Sequence, residues 1–265
     1  MELDDAAPEP ERVGVSEIGG RQTRVEVYAE LGSTNTRLRE RAAEGAAEGT
    51  VIVARAQTAG RGRLGRTWNS PPDAGLYASI LERPGIEASR SHVLTLAAAV
   101  AVAEAISGLG VTGVEIKWPN DVLANGRKIS GILTESSLLD GRIDSAVVGI
   151  GVNVRRTAVP EDLIDRATSL ENEGVVVEPS QVLTRVLERL AVWRPRAESA
   201  GDEAIVSRWL DFAPMAMGAT VHVADGAGAY DAVTEGITDD GRLRVRKSDG
   251  LLEILTAADV TLRNG

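Results

Sequence analysis

Polar and apolar residues alternate through QTRVEVYA (22–29), the mark of a half-buried strand, whereas TVIVARA (50–56) and GLYASIL (75–81) are nearly unbroken apolar runs of buried-strand type. Between the first two, Ser33 or Thr34 is placed to cap a helix through TRLRERAAEGA, with Leu38 and Ala42 on one face. From about Ser91, HVLTLAAAVAVAEAI is apolar nearly all round and stops at Gly108 and Gly110, which predicts a buried core helix. Beyond 113 the pattern becomes a meander: VEIKW, DVLA, RKISGILTESSLL and RIDSAVVGIGVNV, with Asn125-Gly126 and Asp140-Gly141 as hairpin turns. These strands should form the centre of a mixed sheet.

Residues 160–174 read as irregular. A helix from about Ser180 carries Val182, Val186, Arg189 and Leu190 at helical spacing and should kink or end at Pro195. A second short helix holds Ile205, Val206, Trp209 and Leu210, and 212–218 reads as a linker. The pattern then changes to short strands, ATVHVA, AYDAVTEGI, RLRVRK and LLEIL, separated by Gly-rich or Asp-Gly turns. A small β-barrel packed on the larger domain is expected, because so few residues are marginal alone. Residues 1–21 are acidic and carry turn formers without periodicity, so they read as a disordered lead before domains at 22–215 and 216–265.

Composition narrows the chemistry. The chain has 265 residues, no cysteine and a formal charge of −10. Thiol nucleophiles and cysteine-based zinc sites are excluded, and general binding to nucleic acid or an anionic membrane is disfavoured. The acidic start lacks a signal-peptide pattern, which leads us to expect a cytoplasmic protein. Lysine occurs only at 117, 128 and 247 while arginine is abundant. A salt-loaded cytoplasm or a GC-rich genome would give this bias. The saline reading expects the fold to survive above about 1 M KCl, where surface repulsion is screened.

The stretch GRGRLGRTW (60–68) interleaves glycine and arginine. Exposed backbone N–H groups and guanidinium forks suit phosphate or carboxylate. Gly60-x-Gly62-x-x-Gly65 matches a dinucleotide fingerprint in spacing, but TWNSPPDAG follows where a helix would have to open. The Lys-Ser/Thr of a P-loop and the catalytic motifs of kinases are missing as well. A solvated arginine loop is the plain alternative.

That alternative weakens because GSTN (32–35), KWPND (117–121), GRKISGILTE (126–135) and GIGVNV (149–154) accompany the loop. With QT-x-GRGR-x-GR-x-W, this ordered series strongly resembles the biotin protein ligases over roughly residues 22–263. The resemblance implies an α+β fold: a mixed β-sheet flanked by helices, of the class II aminoacyl-tRNA synthetase and biotin ligase type, with a C-terminal SH3-like barrel. It implies formation of biotinyl-5'-AMP and pyrophosphate from biotin and ATP, then transfer to one lysine of a biotin carboxyl carrier domain. Mg²⁺ would come with ATP, its protein ligands unassigned.

By the same resemblance, Ser33, Thr34, Asn35 and Gln57 surround the ureido head of biotin, Arg61 and Gly62 touch biotin through backbone, and Arg63 and Arg66 face phosphates. Trp68 would support adenine, with a core tryptophan as the alternative. Lys128 would sit between the biotin carboxylate and the α-phosphate, where a compact ammonium fits better than a guanidinium. Lys128 and Arg63 are therefore the expected catalytic pair. Lys117, Asn120 and Asn153 fall on the nucleotide side. Gly131 and Gly149 should permit close backbone approach to ligand, with a bulge or tight packing as the alternative. Asp121 could instead close the turn after Pro119. The loop should be mobile until substrate orders it. A lipoate-type ligase and a non-turnover biotin sensor are the competing readings. No DNA binding is expected, and a monomer or a homodimer is equally compatible.

Overall fold

The computed structural model describes residues 8–198, 203–225, 228–256 and 258–262. Along the chain the elements are β1 (Arg12–Ile18), β2 (Arg21–Leu31), α1 (Thr34–Ala43), β3 (Val51–Gln57), β4 (Gly75–Glu82), α2 (His92–Gly108), β5 (Val114–Lys117), β6 (Asp121–Ala124), β7 (Arg127–Leu139) and β8 (Arg142–Asn153). Then come α3 (Pro179–Glu198), α4 (Glu203–Asp211), β9 (Met217–Asp225), β10 (Gly228–Ile237), β11 (Leu243–Lys247), β12 (Leu252–Leu255) and β13 (Asp259–Leu262).

The first eight strands form one sheet in the order β1-β2-β3-β4-β8-β7-β6-β5. Only β2 and β3 run parallel, with α1 as their crossover; the other neighbours are antiparallel, so the sheet is mixed as expected. The last five strands form an antiparallel sheet in the order β12-β11-β10-β9-β13. This arrangement is consistent with an SH3-like domain, although the hydrogen-bonded ladder does not close into a full barrel.

Strand alternation divides the large sheet into two faces. Leu76, Ala78 and Ile80 of β4, Val148, Ile150 and Val152 of β8 and Ile132 of β7 point to one side, where they share a core with α2 and α3. Helix α2 is almost wholly apolar, and its residues from Val93 to Ile106 are buried apart from Thr95 and Glu104. Segment 88–108 is long and apolar enough to cross a bilayer by composition alone, yet two thirds of it is buried in the fold. On the other side a smaller core of Tyr28, Leu31, Leu38, Ile52, Ala54, Leu81 and Val147 seats α1.

Three local expectations require correction. The lead is not irregular from end to end: residues 12–18 form β1, paired antiparallel to β2, while residues 1–7 lie outside the described residues. β1 is an edge strand exposed along most of its length, so burial imposed no legible alternation on it. Of the kink or end expected at Pro195, the end does not occur: helix α3 runs on to Glu198, with Trp193 and Ala197 buried around the proline. β13 adds a fifth C-terminal strand beside β9; four residues are too few for a periodicity signal.

Candidate functional site

The part of the second face that α1 leaves uncovered is the floor of a cavity of about 240 Å³. Its walls are the Gly/Arg loop, the 117–121 turn and Ala258, Val260 and Thr261 from the C-terminal sheet. Trp118 precedes a cis peptide to Pro119, and its Nε1 donates to the Gly241 carbonyl at 3.0 Å, which ties this wall to the small domain. Of the residues singled out above, Ser33, Thr34, Asn35, Gln57, Arg61, Gly62, Arg63, Arg66, Trp68, Lys117, Asn120, Lys128 and Gly131 all line it.

Cross-strand register explains the floor. Tyr77, Gly151 and Gly131 lie side by side across β4, β8 and β7, and Asp121 of β6 continues the row. A Cβ on Gly151 would come 2.5 Å from the Trp68 indole, and one on Gly131 would come 3.1 Å from the same ring. The two glycines thus clear a shelf on which the tryptophan lies. The adjacent row is Ser79, Gly149 and Leu133. There a Cβ on Gly149 would collide with the Asn35 side chain. At Gly131 and Gly149 the tight-packing alternative therefore holds: both are bare to admit protein side chains.

Above the second row a polar network fixes the amide end of the cavity. Asn35 Nδ2 donates to the Leu133 carbonyl at 3.1 Å and to Glu135 Oε2 at 2.8 Å, which leaves its Oδ1 to accept from the Ser79 hydroxyl at 2.6 Å. The Thr34 backbone N–H donates to Gln57 Oε1 at 2.9 Å, and Gln57 Nε2 donates to Ser70 Oγ at 2.9 Å. Ser33 occupies the N-cap position of α1, yet its side chain makes no capping bond. Amides and hydroxyls dominate this end, the partners a neutral hydrogen-bonding ligand needs.

The other end is cationic. Regular alternation would turn Lys128 toward α2, but β6 and β7 slip register between Val122 and Leu123, so β7 carries one extra residue, Ile129. Ile129 is buried in the main core and Lys128 is turned to the cavity, the re-aiming that a bulge provides. Lys128 Nζ lies 2.7 Å from Asp121 Oδ1 and 5.4 Å from the Trp68 ring centroid. Asp121 therefore does more than close a turn. Segment 166–168 locks the bulge, because the Lys128 N–H donates to the Arg166 carbonyl and the Thr168 N–H donates back to the Lys128 carbonyl.

Asn153 is the one expected site residue that does not line the cavity. It is buried, and its Nδ2 donates to the Thr168 carbonyl at 2.9 Å, so it braces the segment that holds Lys128. Arg63 Nη1 donates to Asn120 Oδ1 at 3.3 Å, while Asn120 Nδ2 donates to the Ile132 carbonyl at 2.8 Å. The loop itself is a compact turn. Gly62 N–H donates to the Arg66 carbonyl at 2.7 Å, Trp68 N–H to the Gly60 carbonyl at 2.9 Å, and Leu64 adopts a left-handed conformation.

Ser79, Gly151 and Glu135 were not assigned roles by sequence reasoning. Ser79 was hidden inside an apolar strand; Gly151 and Glu135 stood in quoted motifs, but only the cross-strand register shows what they face. As for a metal, Asp121 is the only carboxylate among the described residues that line the cavity, and Lys128 occupies it. The donor set therefore does not fit a resident divalent cation.

Comparison with known proteins shows what the chain and its fold are similar to. Residues 28–153 match the biotin/lipoate A/B protein ligase family and residues 217–263 match the biotin protein ligase C terminal domain. The chain is 35% identical to the bifunctional ligase/repressor BirA of Bacillus subtilis, over 86% of this chain and 70% of that protein. It is 36% identical to the biotin acetyl-CoA-carboxylase ligase of Paracoccus denitrificans, over 79% of this chain and 88% of the relative. The solved biotin protein ligase of Aquifex aeolicus, in complex with biotin and ATP, superposes with a TM-score of 0.75 at 30% identity, covering 91% of this chain and 99% of that one.

Proposed function

The chain belongs to the biotin protein ligases of the biotin/lipoate A/B protein ligase family, and from that premise we propose how its cavity performs their reaction. The protein is an ATP-dependent ligase with biotin and ATP as substrates. It forms biotinyl-5'-AMP and pyrophosphate and then passes the biotinyl group to a lysine of an acceptor protein. The acceptor in our reading is a carboxyl carrier domain of a biotin-dependent carboxylase.

The observation that carries the residue assignment is the meeting of two unlike groups in one cavity, the amides and hydroxyls around Asn35 and Gln57, and Lys128 on Asp121 with Arg63 on Asn120; Arg66 and Lys117 add to the positive charge of its lining. The uncharged end, built from Ser33, Thr34, Asn35 and Gln57, takes the ureido ring, which has both donors and acceptors. Arg61 and Gly62 pass over the biotin chain, Trp68 supports the adenine, and Lys117 and Asn120 attend the nucleotide. A carboxylate oxygen of biotin attacks the α-phosphorus and the bond to the β-phosphate breaks, releasing pyrophosphate. Two anions must approach for this step, and Lys128 Nζ stabilises both as charge shifts between them. Asp121 holds that ammonium in place before substrate arrives. Arg63 and Arg66 attract the phosphates, and the closed loop then shields the mixed anhydride from water. In the second step the acceptor amine attacks the acyl carbon and AMP leaves. Mg²⁺ bound to ATP would supply neutralisation of phosphate charge, and Asp121, engaged by Lys128, is not assigned to hold it.

Biotin-dependent exchange of pyrophosphate into ATP tests the reading, with lipoate as control acid. Exchange with biotin and not lipoate is expected, followed by labelling of a carrier domain. Exchange with lipoate, or with neither acid in folded protein, would contradict it.

A further inference from the structure

Glu135 lies on β7, outside the cavity wall, and has no place in the chemistry derived above. Its Oε2 nevertheless accepts two hydrogen bonds: from Arg61 Nη2 of the Gly/Arg loop at 2.6 Å, and from Asn35 Nδ2 of α1 at 2.8 Å. These donors stand 74 and 100 residues away in sequence. Arg39 Nη1 approaches the other oxygen at 3.6 Å. The Asn35 side chain is itself confined by Gly149 below, Ser79 beside it and the Leu133 carbonyl. One carboxylate oxygen therefore joins the loop to the amide that faces the uncharged end of the site.

We propose that Glu135 is a positioning residue: it clasps the loop through Arg61 and orients Asn35, so that loop closure and the biotin-head subsite form together. The proposal rests on the ligase reading for what the subsite binds, but the clasp itself is a property of the free protein. A loop rich in glycine loses conformational freedom on closing. A charge-assisted pair on a partly exposed carboxylate offsets part of that cost before substrate contributes anything. Arg61 is partly exposed, so the effect is that of a screened pair. Loss of the clasp should raise the open population about five- to tenfold.

The test is amide hydrogen exchange of the full chain without ligand, read at Gly62 and Trp68, whose N–H groups are bonded within the closed loop. Glu135→Gln and Arg61→Ala should each accelerate these amides about five- to tenfold, and the double variant no further than either alone. Exchange in α2 should stay unchanged in all three. Unaltered loop exchange in the single variants, or multiplied effects in the double, would overturn the clasp; so would a uniform acceleration that includes α2. In turnover, Glu135→Gln should raise KM for biotin, and an unchanged KM for biotin would contradict the link to Asn35. Wild-type protein that fails to exchange pyrophosphate with biotin would sink the ligase reading while leaving the hydrogen-exchange outcome to decide the clasp.

Discussion

The two faces of the large sheet are made by the same strands and do opposite work. On β8, Val148, Ile150 and Val152 pack under α2 and α3, while Gly149 and Gly151, one residue out of step, carry no side chain at all. On β4, Leu76, Ala78 and Ile80 are core, while Tyr77 and Ser79 serve the cavity. The helix-covered face gains stability from buried apolar area. The cavity face gives up that area at its glycines so that Trp68 and Asn35 can lie flat on the strands. Function has been placed where the alternation could be spared.

Substitutions one residue apart should therefore separate activity from stability. The largest effect on activity away from Lys128 is expected at Gly151→Val, whose side chain meets Trp68 at once. Displacing the ring by an ångström or more should lower kcat/KM about a hundredfold, with the protein still folded by circular dichroism. Its neighbour Val152 lies in the main core and off the cavity, so Val152→Ala should do the reverse, losing about 2 kcal/mol of stability in denaturant titrations while KM for biotin stays put. Equal loss of activity in both would erase the distinction between the faces.

The helix-covered face also holds one buried carboxylate, Glu82, with Arg194 Nη1 3.2 Å away. Burial pushes its pKa up from 4.5 to about 7. The folded state thus holds the proton more tightly than the unfolded chain, so this contribution is complete below about pH 4.5 and is lost as pH rises through about 7. Relative to wild type, Glu82→Gln should gain about 2 kcal/mol of stability between pH 5 and pH 8. Referring the variant to wild type cancels His92, which burial shifts downward and which acts with opposite sign. A pH-independent difference would mean that Glu82 is ionised throughout.

The smallest effect belongs to Ser79→Ala, at the border between the α1 core and the cavity. Removing its hydroxyl leaves Asn35 Oδ1 without that donor and should raise KM for biotin about five- to tenfold. Steady-state kinetics with biotin as the varied substrate would measure it. An unchanged KM would remove Ser79 from the network.

The motifs were legible because loop, turn and strand ends must present particular atoms to a ligand. Apart from Asn153, every site residue named from them reaches one cavity. What the sequence could not display is register. Whether Gly151 opposes Gly131, or Ser79 opposes Gly149, depends on which strands pair and by what offset, and one residue of slip exchanges the faces. The bulge at Ile129 leaves no mark in hydropathy, because Ile129 is as apolar as any core residue. Asn153 sits at the end of a motif strand, and that its side chain turns to segment 166–168 is likewise a matter of register. β1 escaped notice because its stability comes from ladder bonds to β2 rather than from buried side chains.

The most direct test of the division between faces is the rate of biotin-dependent pyrophosphate exchange in Lys128→Ala, with its unfolding midpoint measured beside wild type. Loss of a charge stabiliser of this kind costs about 2.7 to 4 kcal/mol in the transition state, so exchange should slow by about a hundredfold or more while the midpoint barely moves. Normal exchange by a folded Lys128→Ala protein would contradict the account at its centre.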